Sequence, residues 1–155
     1  MKNPVDKKQW EENEIIRGGV AILYRQGTNG REFLVIENAG TGNVSFVGGA
    51  QENADASEQA GIEREIEEEL GVPCGRIILQ PTDVRHEFVF GPNKPERAGH
   101  LGSYRVYLAD VTATADEIPH TKELRSIRWL PREGVLQALS FPDLKDVFSR
   151  ATEGL

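Results

Sequence analysis

REIEEELG, residues 64–71, is a strongly acidic segment in the first half of the chain. It holds four glutamates in eight residues and ends at a glycine, which together with Pro73 is typical of a helix C-terminus. The macrodipole makes that end of a helix unfavourable for negative charge. The stretch therefore indicates either a solvated acidic surface or a site at which a cation compensates the carboxylates.

The helix that carries these glutamates is predicted to cover about residues 56–70. Its apolar positions recur every fourth residue and form one stripe, at Ile62, Ile66 and Leu70. At the helical period, Glu65, Glu68 and Glu69 fall within one arc of about 100° beside that stripe, whereas Glu67 points away. Three convergent carboxylates at the border of a core have the oxygen chemistry that Mg²⁺ or Mn²⁺ prefers. For the helix taken alone, a solvated acidic face stays an equal alternative.

A glycine-containing loop precedes the helix in the segment FVGGAQENADASEQAG, residues 46–61. Gly48 and Gly49 are predicted to end a short strand and to bring backbone groups close to whatever the carboxylates hold. Asp55 and Ser57 are both candidate N-caps, and Asp55 with Glu58 fits a capping box. Without the helix, this loop would indicate only a simple turn.

Loop and helix together resemble the Nudix box, G-x5-E-x7-R-E-U-x-E-E-x-G-U, in which U is a bulky apolar residue. The segment REIEEELGV, residues 64–72, matches the C-terminal half of that pattern at every position. With Gly49 as the box glycine, Asp55 stands where the glutamate is expected, and the gap to the box arginine is one residue longer. We place the extra residue near Ala56, because loops absorb an insertion more easily than helices. A register without insertion, with Ala50 and Ala56 at the glycine and glutamate positions, is the alternative.

The resemblance covers about residues 15–150 and implies an α/β fold, an α/β/α sandwich with a mixed β-sheet. Strand-like segments lie on both sides of the box: GGVAILYR and REFLVIE before it, and RIILQ, RHEFVF, SYRVYLADV and RSIRWL after it. The resemblance also implies an enzyme that hydrolyses a diphosphate linked to another moiety, with Mg²⁺ or Mn²⁺ as cofactor.

The same resemblance implies roles for individual residues. The implied metal ligands are Glu65, Glu68, Glu69 and the carbonyl of Gly48. Arg64 is implied to orient a carboxylate through charge-assisted hydrogen bonds. Glu123 matches a position where several members carry a further acid that reaches the metals, with an ordinary loop charge as the alternative. Which glutamate deprotonates the attacking water stays open.

Substrate contacts must come mainly from residues outside the box. Arg17 is a candidate for phosphate oxygens, Gly49 for close backbone approach, and Phe90 and Tyr104 for stacking on a base. The three histidines lack metal-ligand spacing and are interpreted as ordinary side chains. The segment RHEFVF matches neither the ADP-ribose pyrophosphatase nor the diadenosine-polyphosphate hydrolase signature cleanly, so the subfamily stays unassigned. The resemblance implies a nucleotide or nucleoside polyphosphate as the substrate.

Length and composition favour one globular domain, residues 1–155, with a polar lead-in over residues 1–14. The net charge of −7 argues against nucleic acid as a partner and is compatible with a small phosphate substrate bridged by a cation. A single cysteine, Cys74, and the lack of an apolar leader or membrane-length run predict a cytoplasmic protein without a membrane span. We expect a monomer or a homodimer.

Three classes of function remain open on the sequence alone. The first is a Mg²⁺-dependent diphosphohydrolase of the Nudix type. The second is a Nudix-fold nucleotide-binding or regulatory domain with weak or lost catalysis, and the third is a metal-binding structural protein. The intact Arg64 and its glutamates favour the first class, whereas Asp55 and Ala56 keep the second open. A metal-binding structural protein, the third class, would not need the glycine-containing loop.

Overall fold

The computed structural model describes residues 10–11, 13–119, 121–122 and 125–155. Most of the predicted lead-in, residues 1–14, and the candidate acid Glu123 lie outside the described residues. The strands are β1 (Ile16–Gly27), β2 (Gly30–Asn38), β3 (Val44–Ser45), β4 (Val47–Ala50), β5 (Gln80–Val89), β6 (Leu101–Asp110), β7 (Thr121–Lys122) and β8 (Arg125–Leu130). The helices are α1 (Glu58–Leu70), α2 (Arg132–Ala138) and α3 (Pro142–Ala151).

The described strands form one mixed sheet whose main path is β5-β6-β1-β2-β8-β7. β1 and β6 are parallel, whereas the other paired neighbours are antiparallel. Residues 18–23 of β1 are buried throughout, because helices cover both faces of the sheet at this central strand. An uninterrupted apolar run in the sequence is the expected consequence.

β1 and β2 separate part of the way along the sheet, and β3 and β4 fill the gap between them. β1 pairs with β2 at residues 24–27 and with β4 at residues 18–21. β2 in turn pairs with β3 at residues 36–37. The gap brings β4 into the middle of the sheet, directly before the loop that leads into α1. The acidic helix is thereby positioned over the centre of the sheet.

Helices lie on both faces of the sheet, so the predicted α/β/α sandwich is confirmed. On one face, the apolar stripe of α1 joins a core that includes Ala21 and Leu23 of β1. On the other face, α2 and α3 contribute to a second core, in which Phe148 of α3 joins Val20 and Ile22. Successive β1 residues thus point to opposite layers. Within the described part of the chain, no helix has the length and apolarity needed to cross a membrane.

The prediction that Gly48 and Gly49 end a strand is wrong. Both lie inside β4, which continues to Ala50 and pairs with β1. The two strands approach so closely that a Cβ on Gly18 of β1 would lie 2.3 Å from the carbonyl oxygen of Gly49. Glycines on both sides of this ladder therefore allow a contact that larger residues would prevent.

The strand predicted for the segment RIILQ, residues 76–80, is also wrong for most of its length. A 3₁₀ turn (Cys74–Arg76) and an irregular stretch precede β5, which begins at Gln80. Ile77 and Leu79 are buried, whereas Ile78 is 75% exposed. The strand-like alternation arises because the two buried side chains pack into the core beneath α1.

Candidate active site

Helix α1 begins and ends at residues whose chemistry favours helix termini. The Ser57 side chain is the N-cap and accepts a hydrogen bond from the Ala60 amide at 3.0 Å. Gly71 ends the helix in the left-handed conformation, with φ of 71°. The capping box predicted for Asp55 and Glu58 is not formed, because the Asp55 carboxylate points instead to an arginine of the helix.

Arg64 is bound by Asp55 through both carboxylate oxygens. Arg64 Nε donates to Asp55 Oδ1 and Nη2 donates to Oδ2, each at 3.0 Å. Asp55 Oδ2 also accepts the Glu52 amide at 2.8 Å, and the side chain is 6% exposed. Gly61 leaves room for it, since a Cβ there would lie 3.1 Å from Oδ2. This bidentate pair is the geometry in which arginine binds a carboxylate most strongly.

The other arm of Arg64 extends to the acidic face of α1. Nη1 donates to Glu65 Oε1 at 3.1 Å and to both carboxylate oxygens of Glu68 at 3.3 Å. Nη2 also lies 3.4 Å from the carbonyl oxygen of Ala50. The hydrogen bonds to Asp55, followed by the neighbouring carboxylate charges, raise the pKa of Arg64 above its ordinary value despite partial burial. Arg64 therefore stays charged and connects the loop, β4 and two glutamates.

Glu65 lies directly over Gly49 of β4. A Cβ on Gly49 would lie 2.6 Å from the carboxyl carbon of Glu65, closer than real side chains approach. The Glu65 side chain is 13% exposed. Glycine at position 49 is thus what allows this carboxylate to rest against the sheet.

Glu69 lines a cavity of about 330 Å³ next to the C-terminal end of the same helix. The cavity is also lined by Gly48, by the amide side chains of Asn38 and Asn43, and by the ring of Phe141. Arg125, the first residue of β8, lines it too and forms an ion pair with Glu69. Charged, amide and aromatic groups therefore share one concave surface beside the helix.

The predicted metal ligands are present as an all-oxygen donor set, which fits Mg²⁺ or Mn²⁺ in composition. Among the described residues, no three acidic, histidine or cysteine side chains are arranged as a ready metal site. The carboxylates are engaged by arginines instead: Glu65 and Glu68 by Arg64, and Glu69 by Arg125. A divalent cation would therefore have to share these carboxylates with the arginines or replace one of the arginine contacts.

The predicted substrate-binding residues are divided between two places. Arg17 is exposed on β1, and its carbonyl oxygen accepts the Gln51 amide at 2.8 Å, which places it beside the glycine loop. Phe90 and Tyr104 lie on the opposite face of the sheet from α1, with ring centroids 6.3 Å apart.

Tyr104 is nevertheless electrostatically connected to the acidic face. Its ring lies against Gly18, where an added Cβ would be 2.8 Å from a ring carbon. Burial raises the pKa of Tyr104 to about 12, with Arg97 opposing and Glu65 adding to the effect. Glycines separate the two side chains, and the Glu65 carboxylate adds to the effect of burial in disfavouring ionisation of the phenol.

The sequence did not indicate Arg125 or the cavity residues Asn38 and Phe141. No local spacing connects Arg125 to Glu69, because β8 reaches the helix end only through its pairing with β2. The sequence did point to Asp55, because this residue stands where the box pattern has a glutamate. Its position against Arg64 agrees with the register in which the extra residue lies in the loop.

A family model described as the NUDIX domain matches residues 16–151. No curated protein matches the chain significantly. Among solved structures, the C. elegans Ap4A hydrolase has a TM-score of 0.69 at 14% identity, covering 90% of this chain and 98% of that one. The E. coli dihydroneopterin triphosphate pyrophosphohydrolase has a TM-score of 0.70 at 12% identity, covering 96% and 100%. A MutT protein from Methanosarcina mazei Go1 has a TM-score of 0.63 at 22% identity, covering 91% and 95%.

Proposed function

Because the chain belongs to the NUDIX domain family, we propose that it hydrolyses a diphosphate linkage in a nucleotide or nucleoside polyphosphate, with Mg²⁺ or Mn²⁺ as cofactor. The observation that carries the proposal is the Arg64 network. It holds Glu65 against Gly49 and keeps Glu68 on the same side of α1. A solvated acidic face would not require a half-buried arginine that is bound bidentately by Asp55 of the preceding loop.

The metal would be held by Glu65, Glu68 and Glu69, with the carbonyl of Gly48 as a further oxygen. Such an ion, when bound, neutralises phosphate oxygens and lowers the pKa of an attacking water. Arg64 would keep two of these carboxylates in place while the third changes its partner. The base that accepts the proton of the attacking water would be a glutamate of this face or Glu123, which stays a proposed further acid.

The organic part of the substrate would occupy the cavity beside Gly48 and Glu69. Asn43 and the NH₂ group of Asn38 are candidates for hydrogen bonds to the edge of a base, since Asn38 Oδ1 already accepts the Gly40 and Thr41 amides. The half-exposed ring of Phe141 offers a stacking surface. The net charge of −7 is unfavourable for a polyphosphate, so a cation between protein and substrate is needed on electrostatic grounds.

The remaining substrate-binding candidates contribute to this proposal unequally. Arg17 and Gly49 lie next to the proposed metal site and stay candidates for phosphate contacts. Phe90 is partly buried and Tyr104 is 7% exposed, so both would act mainly by shaping the layer behind the site. We also propose a cytoplasmic location and a monomeric or homodimeric state.

Two of the similar structures support the substrate class by their names. One is a hydrolase of Ap4A and the other a pyrophosphohydrolase of dihydroneopterin triphosphate. At 14% and 12% identity, neither name identifies the substrate of this chain.

The test is a panel of nucleoside triphosphates, dinucleoside polyphosphates and nucleoside diphosphate conjugates, each with Mg²⁺ and Mn²⁺. Glu68→Gln and Glu69→Gln are measured beside the wild type. We expect at least one substrate to be cleaved, and each substitution to lower kcat by about a hundredfold or more with little change in Tm. Glu67→Gln is the matched control, because Glu67 is exposed one position away. A panel that stays uncleaved while a nucleotide binds tightly would favour the regulatory alternative.

A further inference from the structure

We propose that Arg125 alternates between two partners: it pairs with Glu69 when no divalent cation is bound, and it contacts phosphate oxygens of the substrate once a cation occupies Glu69. This inference rests on the proposed function, because it takes a cation and a phosphate ligand as the two species that meet at this face. It makes Arg125 a substrate-positioning residue outside the Nudix box.

The backbone of Arg125 is fixed, whereas its side chain is exposed. In the sheet, Arg125 pairs with Asn38 of β2 and with Lys122 of β7. Its side chain is 44% exposed, while that of Glu69 is 17% exposed. Arg125, Glu69 and Gly48 all line the same cavity. The guanidinium can therefore leave the carboxylate and remain within that cavity without any change in the strand.

The two arginines at the acidic face differ in how firmly they are held. Arg64 is bound bidentately by Asp55 and also contacts Glu65 and Glu68. Arg125 is described in one ion pair, with Glu69, on a solvent-accessible side chain. Arg64 is held by three carboxylates and Arg125 by one described partner, so a divalent cation can displace Arg125 more readily than Arg64.

Displacement would leave Arg125 charged beside the incoming ligand. Guanidinium does not lose its proton at physiological pH, and its planar donors match phosphate oxygens in pairs. The cation and the phosphate group would then bind cooperatively, since occupying Glu69 releases the residue that the phosphate needs. A residue that only stabilised the apo protein would not connect the two binding events.

The experiment measures two equilibria that do not depend on turnover. Mn²⁺ binding without substrate is followed by electron paramagnetic resonance, and binding of α,β-methylene-ADP at saturating Mn²⁺ by calorimetry. The variants are Arg125→Ala, Arg125→Lys and the control Arg128→Ala. Arg128 lies on the same strand with the same 44% exposure, and its ion pair is with Glu37 at 3.7 Å.

For Arg125→Ala we expect Mn²⁺ affinity to rise about two- to fivefold, because the competing ion pair is lost. Its affinity for α,β-methylene-ADP should fall about tenfold or more, because a charge-assisted contact is lost. Arg125→Lys should recover part of the second effect, and Arg128→Ala should change neither equilibrium.

Unchanged or weaker Mn²⁺ binding by Arg125→Ala would overturn the exchange at Glu69. Unchanged binding of α,β-methylene-ADP, or its failure to bind the wild type, would overturn the phosphate contact. If the wild type does not bind Mn²⁺, both this inference and the proposed function fail. If Mn²⁺ and the analogue bind as expected but no substrate is cleaved, only the proposed function fails.

Discussion

Asp55 binds Arg64 through two hydrogen bonds of 3.0 Å, although the Nudix box pattern has a glutamate at the corresponding place. The carboxylate reaches the guanidinium because the chain has one more residue between the acid and the arginine than the pattern has. We infer that the shorter side chain and the longer loop compensate each other. The loop fits the shorter acid closely, since the Glu52 amide donates to Asp55 and Gly61 leaves the space beside it.

The first prediction is that Asp55 and Ala56 behave as a coupled pair. Asp55→Glu alone should lower stability by about 1 to 3 kcal/mol, because the longer acid loses its fit to the loop. Deletion of Ala56 alone should have a similar effect, because Asp55 then falls short of Arg64. The double variant, which restores the spacing of the pattern, should recover most of the lost stability and activity. Thermal unfolding and kcat are the measurements.

The control for this cycle is Asp55→Asn, which keeps the size of the side chain but removes the charge. Asp55→Asn should lower both stability and kcat, with or without Ala56, since in neither case does Arg64 then have a charged partner at position 55. Additive losses in the double variant would show that the two positions are independent and that our register is wrong.

A second prediction concerns the close approach of Gly49 and Glu65. Gly49→Ala places a methyl group 2.6 Å from the present position of the Glu65 carboxyl carbon. The side chain can turn away, so we expect the free energy of unfolding to change by about 1 kcal/mol or less. Catalysis and Mn²⁺ affinity should both fall, because Glu65 is displaced from the proposed metal site.

The matched variant is Gly18→Ala, whose methyl group would meet the carbonyl oxygen of Gly49 at 2.3 Å. Backbone cannot turn away as a side chain can, so this change should destabilise the protein by about 1 to 3 kcal/mol. Gly49→Ala with full activity would mean that the position of Glu65 does not limit the reaction.

The acidic helix could be predicted from the sequence because its determinants are local. The stripe of Ile62, Ile66 and Leu70 and the cap at Gly71 lie within one segment, and they place α1 to within two residues. The three-layer fold followed from the resemblance. The glutamates of the box point in the direction that the helical period predicts: Glu65 and Glu68 both accept hydrogen bonds from Arg64.

Other features depend on contacts between distant segments, which local patterns do not record. Gly48 and Gly49 look like a loop in sequence, but pairing with β1 draws them into the sheet. Tyr104 alternates as a strand residue should, yet only the parallel register with β1 decides which face it joins. The Glu69–Arg125 pair likewise depends on the pairing of β8 with β2, and no spacing rule predicts it.

A third prediction tests the N-cap of α1. Ser57→Ala removes the acceptor of the Ala60 amide and should lower the free energy of unfolding by about 1 kcal/mol. Ser57→Thr keeps a hydroxyl and should retain most of the stability in the same denaturant titration. Loss of activity well beyond the loss of stability in Ser57→Ala would indicate that the cap also sets the loop that carries Asp55.

The last prediction concerns Tyr104, whose pKa is raised by burial from 10.0 to about 12. Between these values the unfolded chain releases the phenolic proton while the folded protein retains it. The stabilising contribution is therefore fully present below pH 10 and is lost as the pH rises toward 12, up to about 2 to 3 kcal/mol. Denaturant titrations between pH 9 and about 11 should show a smaller decline for Tyr104→Phe than for the wild type.

Tyr107→Phe is the control for that measurement, because burial also raises the pKa of Tyr107 and the two residues contribute separately. The phenolate absorbance of Tyr107→Phe should keep the late ionisation of Tyr104, whereas Tyr104→Phe should lose that ionisation and keep the one of Tyr107. Equal pH slopes for the wild type and Tyr104→Phe would mean that the Tyr104 phenol ionises as it does in the unfolded chain. In that case neither burial nor the charge of Glu65 would disfavour the Tyr104 phenolate, and the inferred electrostatic connection between the two side chains would be wrong.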